Sequence, residues 1–292
     1  MRCAASFLFT IAAALTMSAA DSDTRGIVAE EFVKARPGAA STAPPQYKSL
    51  SANAIKELRQ GDSGAQIGVT IWRLRRSVAT DGGARILVQE ENNTVEWTPE
   101  RVTSTGKLKA GDRVRLSIES AARGYLYVID RERYGANEYG EPYLIFPTLR
   151  TRNGDNSVTP GKLIDIPGQE DRPNFFSLHQ SRAGQTGEEL TVLVTPLPLD
   201  GVTIGRSAQM IAKETFADWN KRFGAARTDL FELAGGSQKT WTKAEQQAAA
   251  ASGTRLLTQE DPPPQTLYRA AVKRGEPLLV KVELRFGSGA SR

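Results

Sequence analysis

In this 292-residue chain the side chains best suited to chemistry are concentrated in one stretch, Asp130-Arg131-Glu132-Arg133-Tyr134-Gly135-Ala136-Asn137-Glu138-Tyr139-Gly140-Glu141. Four carboxylates, Asp130, Glu132, Glu138 and Glu141, are the groups that two kinds of chemistry require. Two carboxylates flanking a glycosidic bond would act as general acid and as base or nucleophile. Several oxygens gathered round a calcium ion would be the other use. The spacing matches no calcium-loop pattern, and Arg131 and Arg133 are ready ion-pair partners. The plainer reading is therefore a charged, solvated hairpin.

The same stretch carries a second possibility. Tyr134, Tyr139 and the nearby Tyr143 lie close in sequence to Arg131 and Arg133. Together they offer flat amphipathic surface and hydrogen-bond donors, which suit a sugar ring or a peptide because a ring orders at small entropic cost. Arg131, Arg133, Tyr134, Tyr139 and Tyr143 are accordingly the candidate partner-binding residues. The structural alternative packs Tyr143 under the sheet edge and uses Tyr134 and Tyr139 to cap the hairpin.

Elsewhere the chemical inventory is thin. His179 is the one histidine and has no nearby acid at catalytic spacing, and no Gly-x-Ser-x-Gly elbow supplies a nucleophile. No phosphate-cradling or dinucleotide-binding glycine pattern is present, so no cofactor is expected. One His and one Cys exclude the usual zinc frameworks. Arg73, Arg75 and Arg76, with Arg101, Lys107 and Lys109, would form a basic patch for anionic polymers if their side chains converged. A solvated strand edge explains them equally. Lys plus Arg number 38 against 33 for Asp plus Glu, and a net charge of +5 is too slight to imply nucleic acid.

The elements that must hold these residues read as mainly β. Ile67, Val69 and Ile71 alternate with polar neighbours, as do Val114, Leu116 and Ile118, and the same period recurs over Leu278 to Phe286. Tyr125 to Ile129 is apolar on both faces and reads as a central strand, followed by Leu190 to Thr195. The acid-rich stretch then continues the Tyr127 strand and returns through Tyr143 to Phe146. Val114, Leu116, Ile118, Leu126 and Val128 are expected to pack across a sheet interface on Leu193 or Val194 and on Val280, Val282 and Leu284. Two helical patches interrupt the strands. Ser207 to Phe223 is expected to start at a Ser207 cap and stop at Gly224, and Thr242 to Ala251 opens on a Thr242–Glu245 capping box. Pro262-Pro263-Pro264 imposes an extended link into a last hairpin.

The organisation expected is a signal peptide over 1–20, a mostly flexible segment over 21–64, and one β-sandwich domain over 65–287 with helical decoration at 207–251. Met1-Arg2 is a short basic start, Ala4 to Met17 an apolar run too short to span a bilayer, and Ser18-Ala19-Ala20 a cleavage pattern before Asp21. Within 21–64, Ile27 to Lys34 and Asn53 to Gln60 are helix-like, around a linker at Arg36 to Pro45. The mature chain has no cysteine and no further run long enough to cross a membrane, so an exported protein, periplasmic or extracellular, is expected.

Gly111-Asp112-Arg113-Val114-Arg115-Leu116-Ser117-Ile118-Glu119 and Gly124-Tyr125-Leu126-Tyr127-Val128-Ile129-Asp130-Arg131-Glu132 carry a resemblance. Pro142-Tyr143-Leu144-Ile145-Phe146-Pro147, Gly154-Asp155-Asn156, Pro160-Gly161 and Ile166-Pro167 continue it. Over about 68–286 the chain resembles the bacterial domain of unknown function 4384 family, especially its long, secreted-type members. The resemblance implies an immunoglobulin-like antiparallel β-sandwich and binding or accessory work beside other domains, and it supplies no catalytic residue. Two functions follow as expectations. The first is a non-enzymatic module binding an unknown protein or envelope polymer. The second is a hydrolase of envelope polysaccharide or peptidoglycan acting through the 130–141 carboxylates.

Overall fold

The structure, a computed structural model, describes residues 28–38, 45–49, 64–90, 93–135, 137–250, 255–273 and 275–287. The expected signal peptide and the Asn53 to Gln60 helix lie outside the described residues. Two sheets hold most of the rest. The first contains β1 (Tyr47–Ser49), β2 (Ala65–Arg76), β3 (Ile86–Glu90), β4 (Asn93–Val102), β6 (Arg113–Ser120), β11 (Leu163–Ile166), β12 (Phe176–Ser177), β15 (Thr228–Leu233) and β16 (Thr266–Ala270). The second contains β5 (Lys107–Leu108), β7 (Gly124–Tyr134), β8 (Glu138–Tyr139), β9 (Tyr143–Phe146), β10 (Ser157–Val158), β13 (Gly187–Thr195), β14 (Gln209–Met210) and β17 (Leu278–Phe286). Pairing is antiparallel throughout except where β17 meets β5.

The period-two residues decide how the sheets meet. Ile67, Val69 and Ile71 of β2 and Val114, Leu116 and Ile118 of β6 face Leu126 and Val128 of β7 across one apolar layer. Val192, Val194, Val280, Val282 and Leu284 complete that layer. Val194, not Leu193, faces the first sheet; Leu193 points to the opposite side of its strand. Strand β7 is central, between β9 and β13, and the reason it is apolar on both faces is visible. Its outer face, Tyr127 and Ile129, is covered by Phe216 and Trp219 of helix α2 (Lys213–Phe223).

Two local expectations need correction. The helix begins at Lys213, after Ala212 at the N-cap, and Ser207 caps nothing. Gln209–Met210 instead pairs in register with Leu144 and Tyr143, because the exposed edge of β9 offers backbone partners that a helix start there would forgo. The proline run leads into β16, which lies in the first sheet between β15 and β2 while β17 joins the second, so no last hairpin forms. Helix α3 (Lys243–Ala248) has its capping box in place: Thr242 Oγ1 accepts from the Glu245 N–H at 3.2 Å, and the Glu245 carboxylate accepts from the Thr242 N–H at 3.0 Å.

Where the sequence reads as mostly flexible over 21–64, the described parts are packed. Helix α1, described over 28–34, buries Val28, Ala29, Phe32 and Val33 against Phe231 and Leu267. Strand β1 pairs with β15. Arg36 is buried and bidentate on Glu119 of β6, at 2.8 and 2.7 Å. Gly68 lets this segment dock, since a Cβ there would lie 2.4 Å from Pro264 and 2.9 Å from Phe32. No helix among the described residues is long and apolar enough to cross a membrane.

Candidate functional site

Alternation along β7 sorts the hairpin's side chains. Leu126 and Val128 face inward, so Asp130, Glu132 and Tyr134 continue that face, while Arg131 and Arg133 take the outer one. Gly135, at φ 79°, supplies the left-handed turn residue at the tip.

On the outer face the arginines are already engaged. Arg131 stands opposite Glu189 of β13, pairs with it at 2.5 Å, and stacks on Tyr139 and Phe216 with its guanidinium carbon 3.9 and 4.7 Å from the ring centres. Arg133 pairs with Glu283 of β17 at 3.0 Å. Tyr134 is buried; its hydroxyl meets Glu132 at 2.6 Å and Ser181 at 2.7 Å, and Arg182 covers its ring at 3.7 Å. Glu138 and Glu141 are exposed and paired with Arg182 and Lys213. Of the five candidate partner-binding residues, Tyr143 alone is exposed, at 43%.

Of the basic residues of β2 and β4, Arg73 and Arg75 share Glu100 of β4, while Arg76 and Arg101 are engaged apart from them. Arg75 is held by Asp81 and Glu100, and Arg76 by Glu90. Arg101 is buried on Glu245, over the Trp72 ring. Beside it, Trp72 donates to Ser117, Ser117 to Asp165, and Arg115 to Asp165 at 3.0 Å, a buried polar network under α3. Burial pushes the Asp165 carboxyl up to about 6, against the pull of Arg115. His179 is exposed in the loop before β13.

Two features emerge that sequence spacing did not reveal. The first is internal. Glu188 of β13 stands opposite Glu132, and together with Asp130 it lines a cavity of about 120 Å³ between the sheets. The remaining wall is apolar apart from Ser177: Val114, Leu116, Ile145, Phe176, Leu178, Leu190 and Leu284. Burial, reinforced by Glu132, raises Asp130 to about 7; burial, reinforced by Asp130 and Glu132, raises Glu188 to about 8. Asp130 Oδ1 is sealed from solvent and has no hydrogen-bond partner among the described residues.

The second is at the surface. Tyr143 and its partner Met210, 65% exposed, mark the β9–β14 edge of the second sheet. The two chain segments stay side by side beyond it, with the Leu149 N–H donating to the Gly205 carbonyl at 2.8 Å. Leu149 and Ile204 are also exposed. Here a pocket of about 230 Å³ is walled by Ile145, Ile166, Pro167, Phe175 and Phe176, with Arg150 and Arg206 on its lining. Neither arginine forms an ion pair with a described carboxylate. The one acid of the lining, Asp171, is taken up by Thr151 and the Gly168 N–H. Ile145 and Phe176 line both cavities, so they form the partition between them.

Alternation could have separated Asp130 from Arg131, but Glu188 is brought in only by the pairing of β13 with β7. Among the described residues no three His, Cys, Asp or Glu side chains are arranged to hold a metal ion. No family model matches the chain, and neither a curated protein nor a solved structure is found to be similar to it.

Proposed function

We propose that the chain is a non-enzymatic binding or accessory module, exported to the bacterial envelope or beyond, which recognises an acidic protein segment at the β9–β14 edge. The carrying observation is that Arg150 and Arg206 line a largely apolar pocket and form no ion pair with a carboxylate among the described residues. Tyr143, Leu149, Ile204 and Met210 are exposed around it. Charge on the rim steers and selects, and exposed apolar side chains supply area to bury. The family resemblance and the immunoglobulin-like form of the two-sheet fold belong to the same reading. So does removal of residues 1–20.

Capture of envelope proteins on the immobilised chain tests it. A partner whose retention falls with salt, and which is lost on Arg150→Glu with Arg206→Glu at an unchanged melting temperature, is the expected result. Retention of the same partner by the double variant overturns the assignment of this face.

The hydrolase reading draws on the raised Asp130 and Glu188 carboxyls. Their cavity of about 120 Å³ is well under the roughly 300–1,000 Å³ of substrate sites. Glu138 and Glu141, two further acids of the hairpin, are on the surface in ion pairs. Release of fragments from peptidoglycan or polysaccharide by the chain, lost in Asp130→Asn or Glu138→Gln, would establish hydrolysis in its place.

A further inference from the structure

Buried carboxylates are ordinarily paired with a cation or hydrogen-bonded, because burying their charge alone is costly. Asp130 departs from this. Glu132 accepts the Tyr134 hydroxyl, while Asp130 Oδ1 is solvent-sealed and unpartnered. Among the described residues, the elements packed against them bring no Lys or Arg into the cavity lining. Strand β6 presents Val114 and Leu116, and the β12 segment presents Phe176, Ser177 and Leu178. Strand β9 presents Ile145 and β17 presents Leu284. Glu283 points to the other face with Arg133 and Arg285, and Arg182, in the loop before β13, is paired with Glu138.

We infer that the cavity between the sheets is a binding site for a primary ammonium group on a short aliphatic stem, held by Asp130 and Glu188. Three donors on one ammonium can satisfy carboxylate oxygens that do not converge on a metal-binding point. The apolar remainder of the wall takes the stem, as it takes the methylenes of a lysine. The volume, about 120 Å³, holds several waters or such a stem and nothing larger. An ammonium entering the site displaces one proton to solvent from a carboxyl, so the site carries the same net charge with the ammonium bound as with that proton. Ile145 and Phe176 stand between this cavity and the pocket at the docking edge, so the inference does not rest on recognition at that edge.

The test is calorimetric titration of the full chain with n-butylammonium and, separately, with N-acetyl-lysine amide, against n-butanol. Saturable binding of an amine but not of the alcohol is expected. Affinity should rise by up to about tenfold per pH unit below the carboxyl values, because one proton is released per amine bound. The amide variant Asp130→Asn with Glu188→Gln keeps the shape and removes the charge, so it should fold and lose the binding. Tighter binding of the lysine derivative would identify the source as a protein side chain, and tighter binding of n-butylammonium a free amine. Equal binding of the alcohol, persistence in the double variant, or no binding to a folded wild type would each overturn the site; the last would leave the two carboxyls sharing a proton.

Discussion

Glu188 on β13 stands directly opposite Glu132 on β7, like charge facing like charge, with Asp130 next along the same inward face. Such a pairing is destabilising when both groups are ionised, and burial keeps protons on the site to relieve it. The same inward acids thus bear on stability as well as on ligand binding.

A pH dependence follows with a definite sign. Asp130 at about 7 and Glu188 at about 8 lie above their unfolded values of about 3.9 and 4.3. The folded chain therefore binds more protons than the unfolded chain between those limits, and stability falls as pH rises through the window. Asp165, at about 6, adds to the same slope. Asp81 and Asp155 are lowered, by bonds from Arg75 and from Ser157 and Lys162, so their contribution is lost only in acid below about pH 4. Urea unfolding across the pH range should show the decline, flattened in Asp130→Asn with Glu188→Gln. An unchanged slope in that variant would mean that the carboxyls ionise freely.

Arg36 and Glu119, each at most 2% exposed along the side chain, tie the N-terminal segment to β6. Arg36 also donates to the carbonyls of Thr258, Asp261 and Pro262. Arg36→Ala leaves a buried carboxylate without its partner and should cost about 3–5 kcal/mol. Denaturant melts that show less than about 1 kcal/mol would place this contact with the weak surface pairs.

Val128→Ala and Leu126→Ala should each cost about 2–4 kcal/mol, since both side chains are fully buried between the sheets. Thermal melts unchanged by either would contradict the inward facing of β7.

At the hairpin, Tyr134→Ala with Tyr139→Ala should lower the melting temperature, because Tyr134 is buried and bonded to Glu132 and Ser181. Tyr143→Ala, on an exposed side chain, should leave the unfolding free energy within about 0.5 kcal/mol of the wild type. The reverse pattern would mean that Tyr143 carries the packing.

How much of this was legible depends on the residues concerned. β2, β6 and β17 announce themselves by alternation, because one face of each is apolar and a one-residue shift would expose it, and β7 by a run apolar on both faces. β14 does not. Two residues carry no period, and Met210 reads equally as part of a helical face until its backbone is seen paired with Tyr143. β16 is hidden behind three prolines. At the hairpin, composition identified the stretch but not its division. Arg131 and Arg133 are consumed by Glu189 and Glu283, partners far along the chain that only sheet pairing supplies. Arg150 and Arg206 stand out for the opposite reason, which is visible only once the partners of every other nearby arginine are known.

Recognition at the β9–β14 edge is tested most directly by hydrogen–deuterium exchange of the full chain, alone and saturated with a captured partner. Slowed exchange confined to 142–150 and 204–211 is the expected result. Slowed exchange at the 135–141 tip with none along those two segments would contradict it.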